Sequence, residues 1–138
     1  MEDCRIYLSG GMSEEQIKWR RQFINAIKFG DYDYDKKPYM FDSTRYYNFA
    51  EGQHRSEREM MEFDLYNLRN SNLVVVNFND IKSIGIAMEL MLAKEKNIPV
   101  IGFGVNGQTV HPWLLECCTR VCENLREAVE YVVSFYLN

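Results

Sequence analysis

The sequence predicts a single α/β domain in which helices cover both faces of a parallel sheet. Residues 73–76 form a short, continuous β-branched run, which is typical of a parallel strand buried on both faces. Segments with the apolar periodicity of amphipathic helices alternate with such runs along the chain. A length of 138 residues, 46% of them hydrophobic, provides one substantial core. We therefore expect one domain, residues 1–138, with one site per chain.

The first half begins with a strand over residues 5–9 that ends in the turn Gly10-Gly11. Ser13 and Gln16 have the spacing of a capping box, so a helix is predicted from there to about Phe29, before Gly30. A short strand follows at 39–41, then a polar loop over 42–55, then a helix capped by Ser56 and ending near residue 70. Loops of that length inside a compact domain are usually functional.

The second half continues the alternation with a strand at 72–77, a helix at 83–96 and a strand at 99–103. Pro112 begins another helical segment, residues 120–121 are a candidate fifth strand, and 124–137 form a closing amphipathic helix. These elements predict a flavodoxin-like, doubly wound sheet of five parallel strands in the order 2-1-3-4-5. The ligand crevice of such a sheet lies at the carboxyl ends of strands one and three.

Glu89 is the most unusual residue of the chain, because it is the only ionisable residue between Lys82 and Lys94. It lies about one turn inside the helix that follows the third strand, and its neighbours three and four residues away are apolar or glycine. Burying a carboxylate without partners costs several kcal/mol or raises its pKa. We therefore predict that Glu89 is the chemical centre of the protein.

Asp64 is a second acid on an apolar helix face, with Met60, Met61 and Leu68 as neighbours. A structural ion pair with a core arginine such as Arg20 is the alternative explanation. Two inward carboxylates near one crevice are suited to nucleophilic and general-acid chemistry at a glycosidic carbon.

The crevice should also contain Gly10, Gly11, Ser83 and Gly85 as substrate-binding residues. Ser83 is expected to cap its helix, and free amides at a helix start also bind anions. The glycine pair alone is a weak indication of phosphate binding. Tyr7, on the first strand, either packs in the core or orients Glu89.

Composition excludes several classes of protein. The net charge is −4 and the basic residues are scattered, so no nucleic acid polymer is expected as a partner. No apolar stretch is long enough for a membrane span and no secretory signal is evident, so a cytoplasmic location is predicted. The four cysteines lack the spacing of a zinc site, and the acidic stretch 31–35 lacks the glycine of an EF-hand, so no metal is predicted.

His111 precedes Pro112 and Trp113 after the last long strand. This segment is expected to cover the pocket, where His111 is a candidate substrate-binding residue, or to pack against a neighbouring subunit. A catalytic triad is not expected, since no serine or cysteine nucleophile is evident beside it.

Several segments of the chain form a combination that is typical of one family: Ile6-Tyr7-Leu8-Ser9-Gly10, Asp64 with Leu68, residues 72–76, Ser83-x-Gly85-x-x-x-Glu89-Leu90 and Pro99-Val100-Ile101. On these segments, which cover nearly its whole length, the chain resembles the nucleoside 2-deoxyribosyltransferase superfamily. The resemblance implies that Glu89 attacks C1′ of a deoxyribosyl group, that Tyr7 positions Glu89, and that Asp64 contacts or protonates the departing base. It also implies a homodimer or larger homo-oligomer in which a neighbouring chain completes each pocket. No cofactor is expected.

The resemblance also bears on the 5′ end of the sugar. Relatives that exchange bases between free nucleosides carry aspartate at the position of Ser83, whereas relatives that hydrolyse 5′-monophosphates carry serine. The expected function is therefore N-glycosidic cleavage of a 2′-deoxynucleoside 5′-monophosphate. The arginine that such relatives place in the first turn is absent here, and Arg20, Arg45 or Lys82 would have to replace it. The alternatives are a deoxyribosyltransferase and a non-catalytic nucleotide-binding or sensing module.

Overall fold

The computed structural model describes residues 2–47, 52, 54–80 and 82–138. Their strands form one parallel sheet in the order β2-β1-β3-β4-β5, which confirms the predicted fold class and strand order. The strands are β1 (Asp3–Ser9), β2 (Lys37–Asp42), β3 (Leu73–Asn77), β4 (Val100–Phe103) and β5 (Arg120–Val121).

Helices pack on both faces of this sheet because side chains of each strand alternate between the two faces. On β1, Ile6 and Leu8 join the core beneath α1 and α5, whereas Tyr7 joins the core beneath α2 and α3. On β3, all residues are buried, as the continuous apolar run predicts. The helices are α1 (Glu14–Phe29), α2 (Glu57–Arg69), α3 (Ile84–Glu95), α4 (Pro112–Glu116) and α5 (Leu125–Tyr136).

Several predicted boundaries differ from the structure. Strands β1 and β2 are longer than predicted, because they pair in register from Asp3 and Lys37 onward. Part of the predicted loop 42–55 is ordered as a 3-10 turn, Ser43–Arg45, while 48–51 and 53 lie outside the described residues. Only half of the predicted capping box forms at α1: the side chain of Ser13 caps the helix, but that of Gln16 accepts from Trp19 instead.

Within the described ranges, no helix is both long and apolar enough to cross a membrane. The same residues contain no cluster of three or more His, Cys, Asp or Glu side chains arranged to hold a metal ion.

Candidate active site

A cleft of about 520 Å³ opens at the carboxyl ends of β1 and β3, where the strand order reverses. The turn after β1, the loop after β3 and the facing sides of α2 and α3 form its walls. The lining residues are Gly10, Gly11, Met12, Ser43, Tyr47, Glu57, Met60, Met61, Asp64, Leu65, Asp80, Lys82, Ser83, Gly85, Met88 and Glu89.

Glu89 is partly buried in the wall of this cleft and is held by two hydroxyl groups of β1. The hydroxyl of Tyr7, a fully buried side chain, donates to Oε2 of Glu89, and Oγ of Ser9 donates to Oε1 at 2.9 Å. Burial raises the pKa of Glu89, while these two hydrogen bonds and the charge of Arg20 lower it. Burial has the larger effect, so the pKa of Glu89 is raised overall, while the two hydrogen bonds fix the orientation of the carboxyl group and offset part of that rise.

Sequence reasoning identified Tyr7 as a possible partner of Glu89 but missed Ser9. The two residues are separated by one position on a strand, so their side chains point to the same face of the sheet. That periodicity, applied to the strand end beside the crevice, is the observation that predicts Ser9 as well.

Asp64 lines the same cleft from α2 and is also partly buried. Burial, followed by the nearby charge of Glu89, raises the pKa of Asp64 to about 7, against a smaller lowering by Arg20. Its Oδ1 atom is buried and has no hydrogen-bond partner in the part of the chain that the structure describes. Asp64 can therefore carry a proton near neutral pH and has a free oxygen with which to contact a ligand.

The alternative explanation of Asp64, an ion pair with Arg20, is wrong. Arg20 forms its ion pair with Asp42 instead, at 3.8 Å between Nε and Oδ1. The guanidinium is fully buried and also donates to the carbonyl oxygens of Gly10, at 3.0 Å, and Gly11, at 2.7 Å. Arg20 thus holds the turn after β1 from behind. Its further contacts are with the carbonyl oxygens of Leu8 and Gln16.

The glycine turn and the start of α3 face each other across one end of the cleft. Ser83 caps α3 as predicted, with Oγ accepting from the amide of Ile86 at 3.3 Å. Gly85 is exposed, and a Cβ added there would touch only Oγ of Ser83, at 3.7 Å. A ligand can therefore approach the backbone of this first helical turn closely.

The other residues that the sequence offered as ligand-binding candidates do not all lie in this cleft. Lys82 lines the cleft, whereas Arg45 is not among its lining residues. His111 caps α4, with Nδ1 accepting from the amide of Trp113 at 3.2 Å. It borders a separate cavity of about 120 Å³, whose wall also includes Ser83. The substrate-binding role of His111 stays a prediction.

Sequence reasoning also missed the methionine-rich wall of the cleft. Met60 and Met61 precede Asp64 on α2, Met88 precedes Glu89 on α3, and Met12 follows the glycine turn. Methionine side chains are flexible and polarizable, and they make favourable contacts with aromatic rings. The surroundings of the two carboxyl groups are thus suited to a flat heterocycle.

The sequence matches no family model, and a search of curated proteins finds no relative. Solved structures do match. A 2-deoxyribosyltransferase from Bacillus psychrosaccharolyticus superposes with a TM-score of 0.72 at 18% identity, over 93% of this chain and 92% of that one. The chain shares the fold of that enzyme.

Two further structures have the same architecture. A conserved protein from Enterococcus faecalis matches with a TM-score of 0.73 at 15% identity, over 93% of this chain and 96% of that one. A CMP N-glycosidase from Clostridium botulinum matches with a TM-score of 0.55 at 12% identity, over 95% and 99% of the two chains. At these identities the likeness concerns the fold, and activity has to be argued from the site.

Proposed function

We propose that the protein breaks the N-glycosidic bond of a 2′-deoxynucleoside or its 5′-monophosphate, with Glu89 as the nucleophile. The observation that carries this proposal is the pair of unlike carboxyl groups in one cleft. Burial raises the pKa of both carboxyl groups, to about 7 at Asp64. Hydrogen bonds from two hydroxyl groups favour the charged form of Glu89, whereas Oδ1 of Asp64 has no hydrogen-bond partner among the described residues. This difference in hydrogen bonding is suited to a nucleophile and a general acid.

In the first step, an oxygen of Glu89 attacks C1′ and the bond from C1′ to the base nitrogen breaks. Asp64 gives its proton to the departing base, so the base leaves neutral and the sugar remains as an ester of Glu89. In the second step, water or another base attacks C1′, Asp64 recovers a proton from the attacking group, and Glu89 is released. Hydrolysis and base exchange therefore share the same first half-reaction.

The fold likeness supports this chemistry, since one matching structure is a 2-deoxyribosyltransferase and another is a CMP N-glycosidase. A binding module without turnover is less well supported. Binding alone does not require a glutamate held by Tyr7 and Ser9 beside a carboxyl group that keeps its proton near pH 7.

The 5′-monophosphate stays a prediction for the substrate. Ser83 at the start of α3 supports it, because the amides of a helix start favour an anion. Lys82 also supports it, as the one basic side chain among the described residues that line the cleft. Arg20 does not, since its guanidinium is buried and engaged with Asp42 and backbone carbonyl oxygens.

A homo-oligomer is also proposed, and the outer face of α3 supports it. Ile84, Met88 and Met91 are 77%, 51% and 46% exposed, so this helix is apolar on its outer side as well as its inner side. Met88 belongs to the cleft too, so a neighbouring copy on this face would border the site. Light scattering after size-exclusion chromatography measures the assembly. The cytoplasmic location stays a prediction.

The test is chromatographic measurement of free base released from a panel of deoxynucleosides and 5′-monophosphates, with and without an acceptor base. Glu89→Gln keeps the shape of the side chain but removes the nucleophilic charge and replaces one of the two accepting oxygens with an NH2 donor. We expect it to lower turnover by several orders of magnitude, and the wild-type protein to yield a sugar adduct on Glu89 by mass spectrometry. Near-normal turnover in folded Glu89→Gln would refute the mechanism.

A further inference from the structure

Arg20, in the second turn of α1, has the largest of the fully buried side chains among the described residues, yet the proposed mechanism assigns it no role. Only 1% of the residue is exposed. A guanidinium removed from water is costly unless acceptors surround it and a counter-charge is near. The acceptors therefore show what this side chain holds in place.

The acceptors of Arg20 lie on both sides of Ser9. Nε donates to the carbonyl oxygen of Leu8 at 3.3 Å, and the two terminal nitrogens donate to those of Gly10 at 3.0 Å and Gly11 at 2.7 Å. A guanidinium is planar and rigid, so these three carbonyl oxygens are fixed relative to one another. Arg20 thus restricts the backbone before and after Ser9.

Ser9 is the less restrained of the two residues that hold Glu89, because it lies at the end of its strand. Tyr7 is paired with both neighbouring strands, β2 and β3. Among the described residues, the pairing of β1 with β2 ends at Leu8, which leaves Ser9 paired with β3 alone. The bonds from Arg20 therefore act where the sheet no longer restricts the strand on both sides.

The charge of Arg20 acts on the same carboxyl group. Burial raises the pKa of Glu89, while the two hydroxyl groups and then the charge of Arg20 lower it. Arg20 also lowers the pKa of Asp64, against the larger effects of burial and of Glu89. Its counter-charge is Asp42 on β2, at 3.8 Å. The other ionisable groups around the site are Tyr7 on β1, Glu57 on α2, and Asp80 and Lys82 in the loop before α3.

We propose that Arg20 is a positioning residue, which holds Ser9 so that its hydroxyl donates to Glu89. This inference rests on the proposed function, because it takes Glu89 as the nucleophile. Arg20 is buried and is not among the described residues that line the cleft, so it acts without touching the substrate. Its loss should therefore lower kcat and leave KM nearly unchanged.

The test is a double-mutant cycle of Arg20→Lys and Ser9→Ala, read as kcat for base release on the acid side of the pH profile, where Glu89 must lose a proton to act. Lysine keeps a positive charge beside Asp42 but lacks the fork that spans the carbonyl oxygens on both sides of Ser9. We expect Ser9→Ala to lower kcat by about 10- to 100-fold, and Arg20→Lys by about tenfold. In the Ser9→Ala background, Arg20→Lys should cost less than about threefold, because the hydroxyl that it positions is gone.

Arg21→Lys is the matched control, because it makes the same change at the next position of α1, where the side chain is exposed. It should behave as wild type. Circular dichroism and urea titrations show whether each variant is folded. If Arg20→Lys does not fold, Arg20→Met with Asp42→Asn replaces it in the cycle, since removing both buried charges leaves neither unpaired. The inference is overturned if the Arg20 variant has the kcat of wild type, or if it costs as much without the Ser9 hydroxyl as with it.

Titration of the Glu89 carboxyl group by NMR, with isotope-labelled glutamate and Glu89→Gln to assign the signal, separates this inference from the proposed function. Ser9→Ala and Arg20→Lys should each lower the acid dissociation constant of Glu89 by about tenfold or more, which raises its pKa further. If Glu89 titrates in this way and wild type releases no base, the glycosidic chemistry fails and positioning by Arg20 stands. If base is released and Arg20→Lys changes neither the titration nor kcat, the chemistry stands and the role of Arg20 is refuted.

Discussion

Removing the hydroxyl of Tyr7 tests how strongly its hydrogen bond favours the charged form of Glu89. In Tyr7→Phe the ring remains buried and stacked on Phe41, whose centroid lies 5.3 Å away, so the core is preserved. The hydrogen bond to Glu89 is lost. Because that bond favours the charged carboxylate, its loss raises the pKa of Glu89 beyond the increase that burial already causes.

The size of the effect follows from the charge of the acceptor. A hydrogen bond to a charged group contributes about 1.5 to 3 kcal/mol, which corresponds to about 10- to 100-fold in an equilibrium constant. On the acid side of the pH profile, where Glu89 must lose a proton to act, we expect kcat/KM of Tyr7→Phe to fall by that factor. The acid limb should move to higher pH, and the loss should shrink as the pH rises.

The assay is kcat/KM for base release across the pH range, measured on wild type and Tyr7→Phe. Tyr34→Phe is the control, because its hydroxyl donates to the carbonyl oxygen of Ile27 away from the cleft. The proposed mechanism assigns the basic limb to deprotonation of Asp64, whose pKa is raised to about 7, so wild-type activity should fall as the pH rises through that value. An acid limb that stays in place or moves to lower pH in Tyr7→Phe would refute the reasoning.

Substitutions at three more positions have defined outcomes. Asp64→Asn should slow release of ordinary bases more than of good leaving groups, and equal slowing would contradict its role as an acid. Asp64 loses its proton near pH 3.8 in the unfolded chain and near pH 7 in the folded protein, so the folded state holds the proton more tightly. The free energy of unfolding of wild type should therefore decrease as the pH rises between these values, by up to about 4 kcal/mol. Urea titrations measure this decrease, which should be absent in Asp64→Asn. Arg20→Met leaves Asp42 buried without its partner and should lower the free energy of unfolding by about 3 to 5 kcal/mol; a loss below 1 kcal/mol would show that the pair is dispensable. Ser83→Ala should cost about 1 kcal/mol through loss of the α3 cap, whereas Ser83→Thr should retain most of it.

The sequence by itself determined the sheet and the inward position of Glu89. The continuous apolar run of β3 requires burial on both faces of the sheet. Strands that alternate with amphipathic helices along a chain can be connected in only a few topologies. The sequence also predicted that Glu89 faces inward, because a single acid in an apolar helix is costly unless it is used, and the structure places it in the wall of the cleft. Its chemical role stays a prediction. These properties are local, and local sequence therefore predicts them.

The tertiary structure decided which groups surround that acid. Ser9 donates a hydrogen bond to Glu89, which lies 80 residues further along the chain. Arg20 forms an ion pair with Asp42 rather than with Asp64. Asp80 reaches the turn after β1 only because two loops meet above adjacent strands. Each of these contacts depends on strand order and on the register between β1 and β3. Register is set by pairing between distant segments, so no window of neighbouring residues contains it.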